Sequence, residues 1–180
     1  MALGLEQEFF VIPREAYVKR IDIRSTGRAL VGELPAKHQQ FADHYYAKIP
    51  HEIENILKEV EDELIELGVP VKTRHNEVAI NQFEFCPLFL EAGKSIDQNM
   101  MLMEVLKEAF ARRGFEVLLH EKPFLNMNGS GKHHNWSLNY VDKEGKIVNL
   151  FKVPKTGQDT TLFKLFVLIN LAAIANNAKL

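Results

Sequence analysis

Apolar positions recur along this chain in two rhythms. Between Ile49 and Leu67 they fall at Ile49, Ile53, Ile56, Leu57, Val60, Leu64 and Leu67, the three-and-four spacing of one helical stripe. Acids and a lysine fill the intervening positions, a solvated face rather than a binding surface, and Gly68 supplies the stop. From Leu5 to Ile12 the rhythm shortens. Aromatic and β-branched residues with acids at alternate positions predict a strand, which Pro13 closes. Tyr17 to Ala42 is mixed, with turn signals at Ser25-Thr26-Gly27 and Gly32, and predicts short strands and a long loop. Val69 to Phe85 reads as a strand, a kink and a second strand. Ser95 is the expected N-cap of a helix that runs to Arg113 and stops at Gly114. Its Met100, Met101 and Met103 read as core filler rather than a soft-metal site. Phe115 to His120 has the composition of a buried strand. A further strand is expected from Asn135 to Val141, followed by a hairpin turn at Asp142-Lys143-Glu144-Gly145-Lys146.

The two ends of the pattern are unusual. Leu162 to Ala175 is apolar except for Lys164 and Asn170. The run is too short to span a bilayer comfortably, and a helix apolar on most faces belongs inside a larger protein. A core-type strand also starts within the first few residues. Both ends are therefore expected to be cuts through a domain.

Composition narrows the class. A net charge of -2 gives no electrostatic case for nucleic acid. A single cysteine, Cys86, cannot form an internal disulfide. The N-terminus lacks the basic and apolar regions of a signal peptide. Together these predict a cytoplasmic protein without a membrane partner.

Chemistry concentrates in the run Asn128-Gly129-Ser130-Gly131-Lys132-His133-His134-Asn135-Trp136-Ser137. Its glycines permit a sharp turn and close approach to a ligand. The run lacks the spacer and ending of a Walker loop, and a strand rather than a helix is expected after it. By alternation His133, Asn135 and Ser137 share one strand face, and Trp136 points the other way, into a core. Glu6 and Glu8 are likewise on one face, roughly 6.5–7 Å apart along the strand. They are flanked by Leu5, Phe9 and Phe10, where charge is expensive. Glu77 and Glu84 would face opposite sides of an unbroken strand and converge only if Ile80-Asn81-Gln82 turns. Four acids and one histidine form a ligand set for hard divalent metals that hold phosphates. The alternative for each acid pair is an exposed acidic edge. His38, His44, His51 and His120 read as structural or solvated; His75, two residues before Glu77, is open.

At Leu5-Glu6-Gln7-Glu8-Phe9-Phe10, at Thr73-Arg74-His75-Asn76-Glu77-Val78-Ala79 with Gln82-Phe83-Glu84, at His120-Glu121-Lys122-Pro123-Phe124 and from Asn128 to Leu138, the chain resembles glutamine synthetase, most closely the large type III class. The blocks keep their order and spacing over nearly the whole length. The resemblance implies an α+β fold, a curved, mostly antiparallel sheet with packed helices, with residues 1–180 forming part of a catalytic domain. It implies that Glu8, Glu77 and Glu84 ligate one Mg²⁺ or Mn²⁺ ion, and that Glu6 and His133 ligate a second near the ATP γ-phosphate. Asn128 and Gly129 match the loop that holds substrate glutamate; Asn135 and Ser137 match positions facing nucleotide phosphates. The implied reaction is ATP-dependent ligation of ammonia to glutamate through γ-glutamyl phosphate, in a homo-oligomeric parent. Where the family usually carries Pro-Gly this chain has Ile80-Asn81, and His134 stands where type III sequences more often have Asn. The family's small N-terminal domain and its later segment lie outside the chain. That segment carries arginines for glutamate and phosphate, a further metal-binding glutamate and an acid that assists ammonia. The chain alone is therefore expected to be weakly active or inactive. The rival reading is a non-catalytic glutamine-synthetase-like module that binds metal or nucleotide, or joins a full-length synthetase. A phosphate-loop kinase would need a helix after Lys132.

Overall fold

A computed structural model describes residues 1–157 and 159–179, with the side chains of residues 42 and 43 outside the description. The chain divides into two compact units, Gly4–Asn135 and, separately, Met1–Leu3 with Trp136–Leu180.

The larger unit is built on the long strand β1 (Ala2–Pro13). A hairpin of β2 (Val71–Asn76) and β3 (Gln82–Pro87) lies beside it, with β3 antiparallel to β1. The strand order is β2-β3-β1-β4, where β4 is Leu90–Glu91. Strands β5 (Phe115–Leu118) and β6 (Lys132–Ser137) also pair with β1. Pleating divides the sheet by parity. Phe9, Phe83 and Phe85 turn to one side and meet two helices, α3 (His51–Glu66) and α4 (Ala92–Arg112). The α3 stripe is buried at Ile53, Ile56, Leu57, Val60 and Leu64, whereas Ile49 before the helix is partly buried and Leu67 after it is exposed. The even-numbered Glu8 and Glu84 are the opposed pair on β1 and β3. Arg74 on β2 reaches α3 through Glu54 and Glu61, at 2.8 and 2.9 Å, and fixes the hairpin against that helix.

Several elements differ from the sequence expectation. The segment predicted as short strands holds two six-residue helices, α1 (Arg14–Lys19) and α2 (Ile21–Thr26), and a 3₁₀ helix, Gln40–Tyr46. Helices under two turns are too short to display a stripe. Gly27, at φ 75°, ends the second. Helix α4 starts three residues before Ser95, because the Glu91 carboxylate accepts from the Gly93 and Lys94 N–H groups and acts as the cap. Ser95 is instead buried within the first turn. Met101 packs on the core, but Met100 is 52% exposed and fills nothing. Strand β6 begins at Lys132 rather than Asn135, since the Glu8 N–H donates to the Gly131 carbonyl (3.1 Å) and draws the segment into pairing early.

In the smaller unit, β7 (Asn139–Val141) and β8 (Ile147–Asn149) form the expected hairpin. Asp142 Oδ1 accepts from the Glu144 and Lys146 N–H groups across its turn. Trp136 is not in a core: it is 48% exposed, its indole edge-on to Phe151 at 4.9 Å, which in turn meets Phe166 at 5.0 Å. Helix α5 (Thr161–Asn176) buries no residue. No helix among the described residues is long and apolar enough to cross a membrane.

The β2–β3 turn depends on Asn81, whose φ is 56°, a left-handed conformation that Asn tolerates and β-branched residues do not. Asn81→Val should lower stability by about 1–2 kcal/mol in denaturant unfolding, whereas Asn81→Gly should leave it within about 1 kcal/mol. Equal losses in both variants would contradict the strain argument.

Candidate metal centre

Three carboxylates predicted from separate motifs meet on the face of the sheet opposite the phenylalanines. Glu8 lies directly across from Glu84 in the β1–β3 register. Glu77 follows β2, and its N–H donates to the Gln82 carbonyl at the turn (2.9 Å). That turn, with Asn81 left-handed, is the kink the spacing of Glu77 and Glu84 demanded. One oxygen from each of Glu8, Glu77 and Glu84 falls within 4.8 Å of the others. Glu77 and Glu84 are buried, each 5% exposed.

Packing acids this closely is electrostatically costly, and the carboxyl groups register it. Burial, then the neighbouring Glu77 and Glu6, pushes Glu84 up to about 7. Glu8 is also raised, chiefly by burial, although the Gly131 N–H bonded to it pulls the other way. A divalent cation is the natural compensation, and an all-oxygen set suits a hard ion.

A second group lies along β1. Glu6 Oε2 is 2.8 Å from His133 Nδ1, and Glu6 Oε1 accepts from Asn135 Nδ2 at 2.9 Å. The shared face of His133 and Asn135 is thus present, and Glu6 and His133 could hold a second ion. Ser137 ends β6, half-buried, in the smaller unit.

The glycine run is bound to this face. Gly131 N–H donates to Glu8 Oε2 (2.8 Å), and the Gly129 carbonyl accepts from Gln82 Nε2 (2.8 Å). Ser130 N–H donates to the Glu121 carbonyl at 2.9 Å. Asn128 is exposed, its N–H held by Gln39 Oε1 at 2.9 Å. A Cβ at Gly129 would collide with the Glu121 carbonyl and Lys122 Cδ, so close backbone approach is what that glycine is for.

Three neighbours escaped the sequence reading. Tyr45 donates its hydroxyl to Glu77 Oε2 at 2.7 Å. Its own ionisation is pushed up by burial and by Glu77. Gln82 bridges Glu8 and Gly129. His75, left open above, places Nε2 at 2.9 Å from Glu84 Oε2. His75 carried a signal in its position two residues before Glu77, and Gln82 in its place beside Phe83-Glu84. Tyr45 sits thirty-two residues from its partner, beyond any local pattern.

Residues 1–168 match the family described as "Glutamine synthetase, catalytic domain". The chain is 44% identical over 178 residues to a glutamine synthetase of Bacteroides fragilis and 43% identical over 178 residues to a type-3 glutamine synthetase of Dictyostelium discoideum. Each match covers 99% of this chain and 24% of the relative, so the chain spans about a quarter of the length of these curated relatives. The cryo-EM structure of Plasmodium falciparum glutamine synthetase superimposes with a TM-score of 0.67 at 20% identity, over 99% of this chain and 36% of that one. A ligand-free GmaS structure gives 0.62 at 23% identity, over 86% and 32%. These structural matches show the shared fold.

Two outcomes follow from the electrostatics and the packing. Glu84 keeps its proton to about pH 7 when folded but only to 4.5 at its ordinary value. It therefore supports the metal-free fold fully below 4.5, and that support is lost as pH rises through 7. Since a metal must displace the same proton, Mn²⁺ affinity measured by titration calorimetry should rise between about pH 6 and pH 8, with a release of protons that Glu84→Gln reduces. Affinity indifferent to pH would contradict this. Gly129→Ala should cost about 1–3 kcal/mol in thermal unfolding; an unchanged melting temperature would show that the loop can move aside.

Proposed function

The chain belongs to the glutamine synthetase catalytic-domain family, and from that premise we propose that it supplies the acid-bearing part of a catalytic domain that ligates ammonia to glutamate at the expense of ATP. The observation that carries this reading is the meeting of Glu8, Glu77 and Glu84 on paired strands, with oxygens within 4.8 Å. The Glu6–His133 pair follows on the same strand.

In this reading Glu8, Glu77 and Glu84 hold one Mg²⁺ or Mn²⁺ ion, and Glu6 with His133 holds the other. When bound, the ions neutralise phosphoryl oxygens and let two anions approach. The chain's own residues orient these ligands. Tyr45 anchors Glu77, and Gln82 and the Gly131 N–H anchor Glu8, so the carboxylates are aimed before any ligand arrives. Asn128 and Gly129 hold glutamate, whose γ-carboxylate oxygen attacks the γ-phosphorus of ATP as ADP departs. Asn135 and Ser137 face the nucleotide phosphates. Ammonia then attacks the acyl carbon of γ-glutamyl phosphate, loses a proton and expels phosphate. No protein nucleophile is required.

The parent enzyme works as a homo-oligomer in the cytoplasm, and residues 1–180 form part of its catalytic domain.

The purified chain should bind ATP in calorimetric titrations only when Mn²⁺ or Mg²⁺ is present, and Glu8→Gln should weaken that binding at least about tenfold. Metal-independent binding, or none, would overturn the assignment. ADP release and γ-glutamyl transfer should be slight; turnover at an ordinary enzyme rate would refute the expectation that this part alone is insufficient.

A further inference from the structure

We infer that His75, Glu84 and Cys86 form a distinct binding site for a borderline-soft divalent cation of the zinc class, sharing Glu84 with the hard-metal centre. The hairpin register brings them together. Glu84 and Cys86 are two apart on β3 and so project from one face. His75 pairs directly with Glu84, and Thr73 with Cys86. One donor atom from each of the three lies within 4.8 Å of the others. His75 Nε2 is 2.9 Å from Glu84 Oε2 and 4.0 Å from Cys86 Sγ. Tetrahedral zinc, with bonds of about 2.0–2.3 Å, spaces such donors roughly 3.3–3.6 Å apart. One edge must open and the other close by about half an ångström, within the reach of side-chain rotation.

The imidazole is already oriented for this task. Its Nδ1 lies 2.9 Å from the Asn76 carbonyl oxygen, which can only accept, so Nδ1 carries the proton and Nε2 is the coordinating edge. Nε2 then faces Glu84 Oε2 acceptor to acceptor unless a proton or a cation lies between them. Cys86 and Glu84 are buried, whereas the His75 side chain is 38% exposed on the edge strand β2, which provides an entry path. A water completes the fourth position. Binding converts the thiol to a thiolate ligand and releases its proton to solvent.

Donor type separates the two sites. Thiolate with imidazole and carboxylate favours zinc-like ions, whereas the Glu8, Glu77 and Glu84 oxygens favour magnesium or manganese. Zinc bound here would withdraw Glu84 from the neighbouring centre. That consequence, but not the site itself, rests on the function proposed above.

Co²⁺ serves as the probe. Cys86 is the chain's one cysteine, so a near-ultraviolet sulfur-to-cobalt charge-transfer band can arise from no other side chain. The wild-type chain should develop this band, Zn²⁺ should abolish it, Cys86→Ala should lack it, and His75→Gln should weaken Co²⁺ binding at least about tenfold. Mn²⁺ binding followed by electron paramagnetic resonance should survive Cys86→Ala within about twofold. A wild-type chain without the band, or a band of unchanged affinity in His75→Gln, would overturn the site. Mn²⁺ binding without the cobalt band defeats this inference alone; the band without Mn²⁺ binding defeats the hard-metal assignment and leaves this site standing.

Discussion

Direct opposition of Glu8 and Glu84 across antiparallel strands is the constraint around which the larger unit is organised. Like charges in that position destabilise a sheet, and burial makes the cost greater. The opposite face offsets it. The Phe9 ring lies 6.1 Å from Phe83 and 6.3 Å from Phe85, and Phe110 of α4 meets it edge-on at 6.0 Å. Because alternation is strict, the residues that force the acids together immediately precede or follow them in sequence. The aromatic core and the acidic face are thus one pattern seen from two sides. A slip of one residue would exchange them, so the register is specified twice, by oil on one side and by charge on the other.

Around the acids, the polar neighbours act as guides. Tyr45 donates to Glu77 Oε2, and Gln82 and the Gly131 N–H both donate to Glu8 Oε2, while one oxygen from each of Glu8, Glu77 and Glu84 lies within 4.8 Å of the others. The arrangement stores electrostatic tension that a cation relieves. His75 shows how easily such a site acquires a second chemistry. One sulfur two residues along β3 is enough to change the class of ion that the same carboxylate can serve.

Legibility in the sequence followed the range of the interactions involved. The α3 stripe, β1 and the β7–β8 hairpin are written in local periodicity and turn chemistry, and the structure has them. The clustering of Glu77 with Glu84 was conditional on a turn at Ile80 to Gln82, and a left-handed Asn81 satisfied it. The short helices α1 and α2 were missed because six residues carry no periodic signal. The cap of α4 was misplaced because a glutamate supplied the acceptor that serine usually does. Trp136 was assigned to a core by alternation alone, but alternation says only which side a residue faces, not whether anything covers that side. Tyr45 reaches Glu77 from a segment with no regular pattern. The assembled set of acids was therefore readable from motifs, and the shell that aims them was not.

The ring contacts of the smaller unit carry a practical corollary. The chain's one indole sits half-exposed against Phe151, with Phe166 behind it. Its emission is governed by solvent access to that aromatic ladder. Fluorescence thus watches the hairpin and α5.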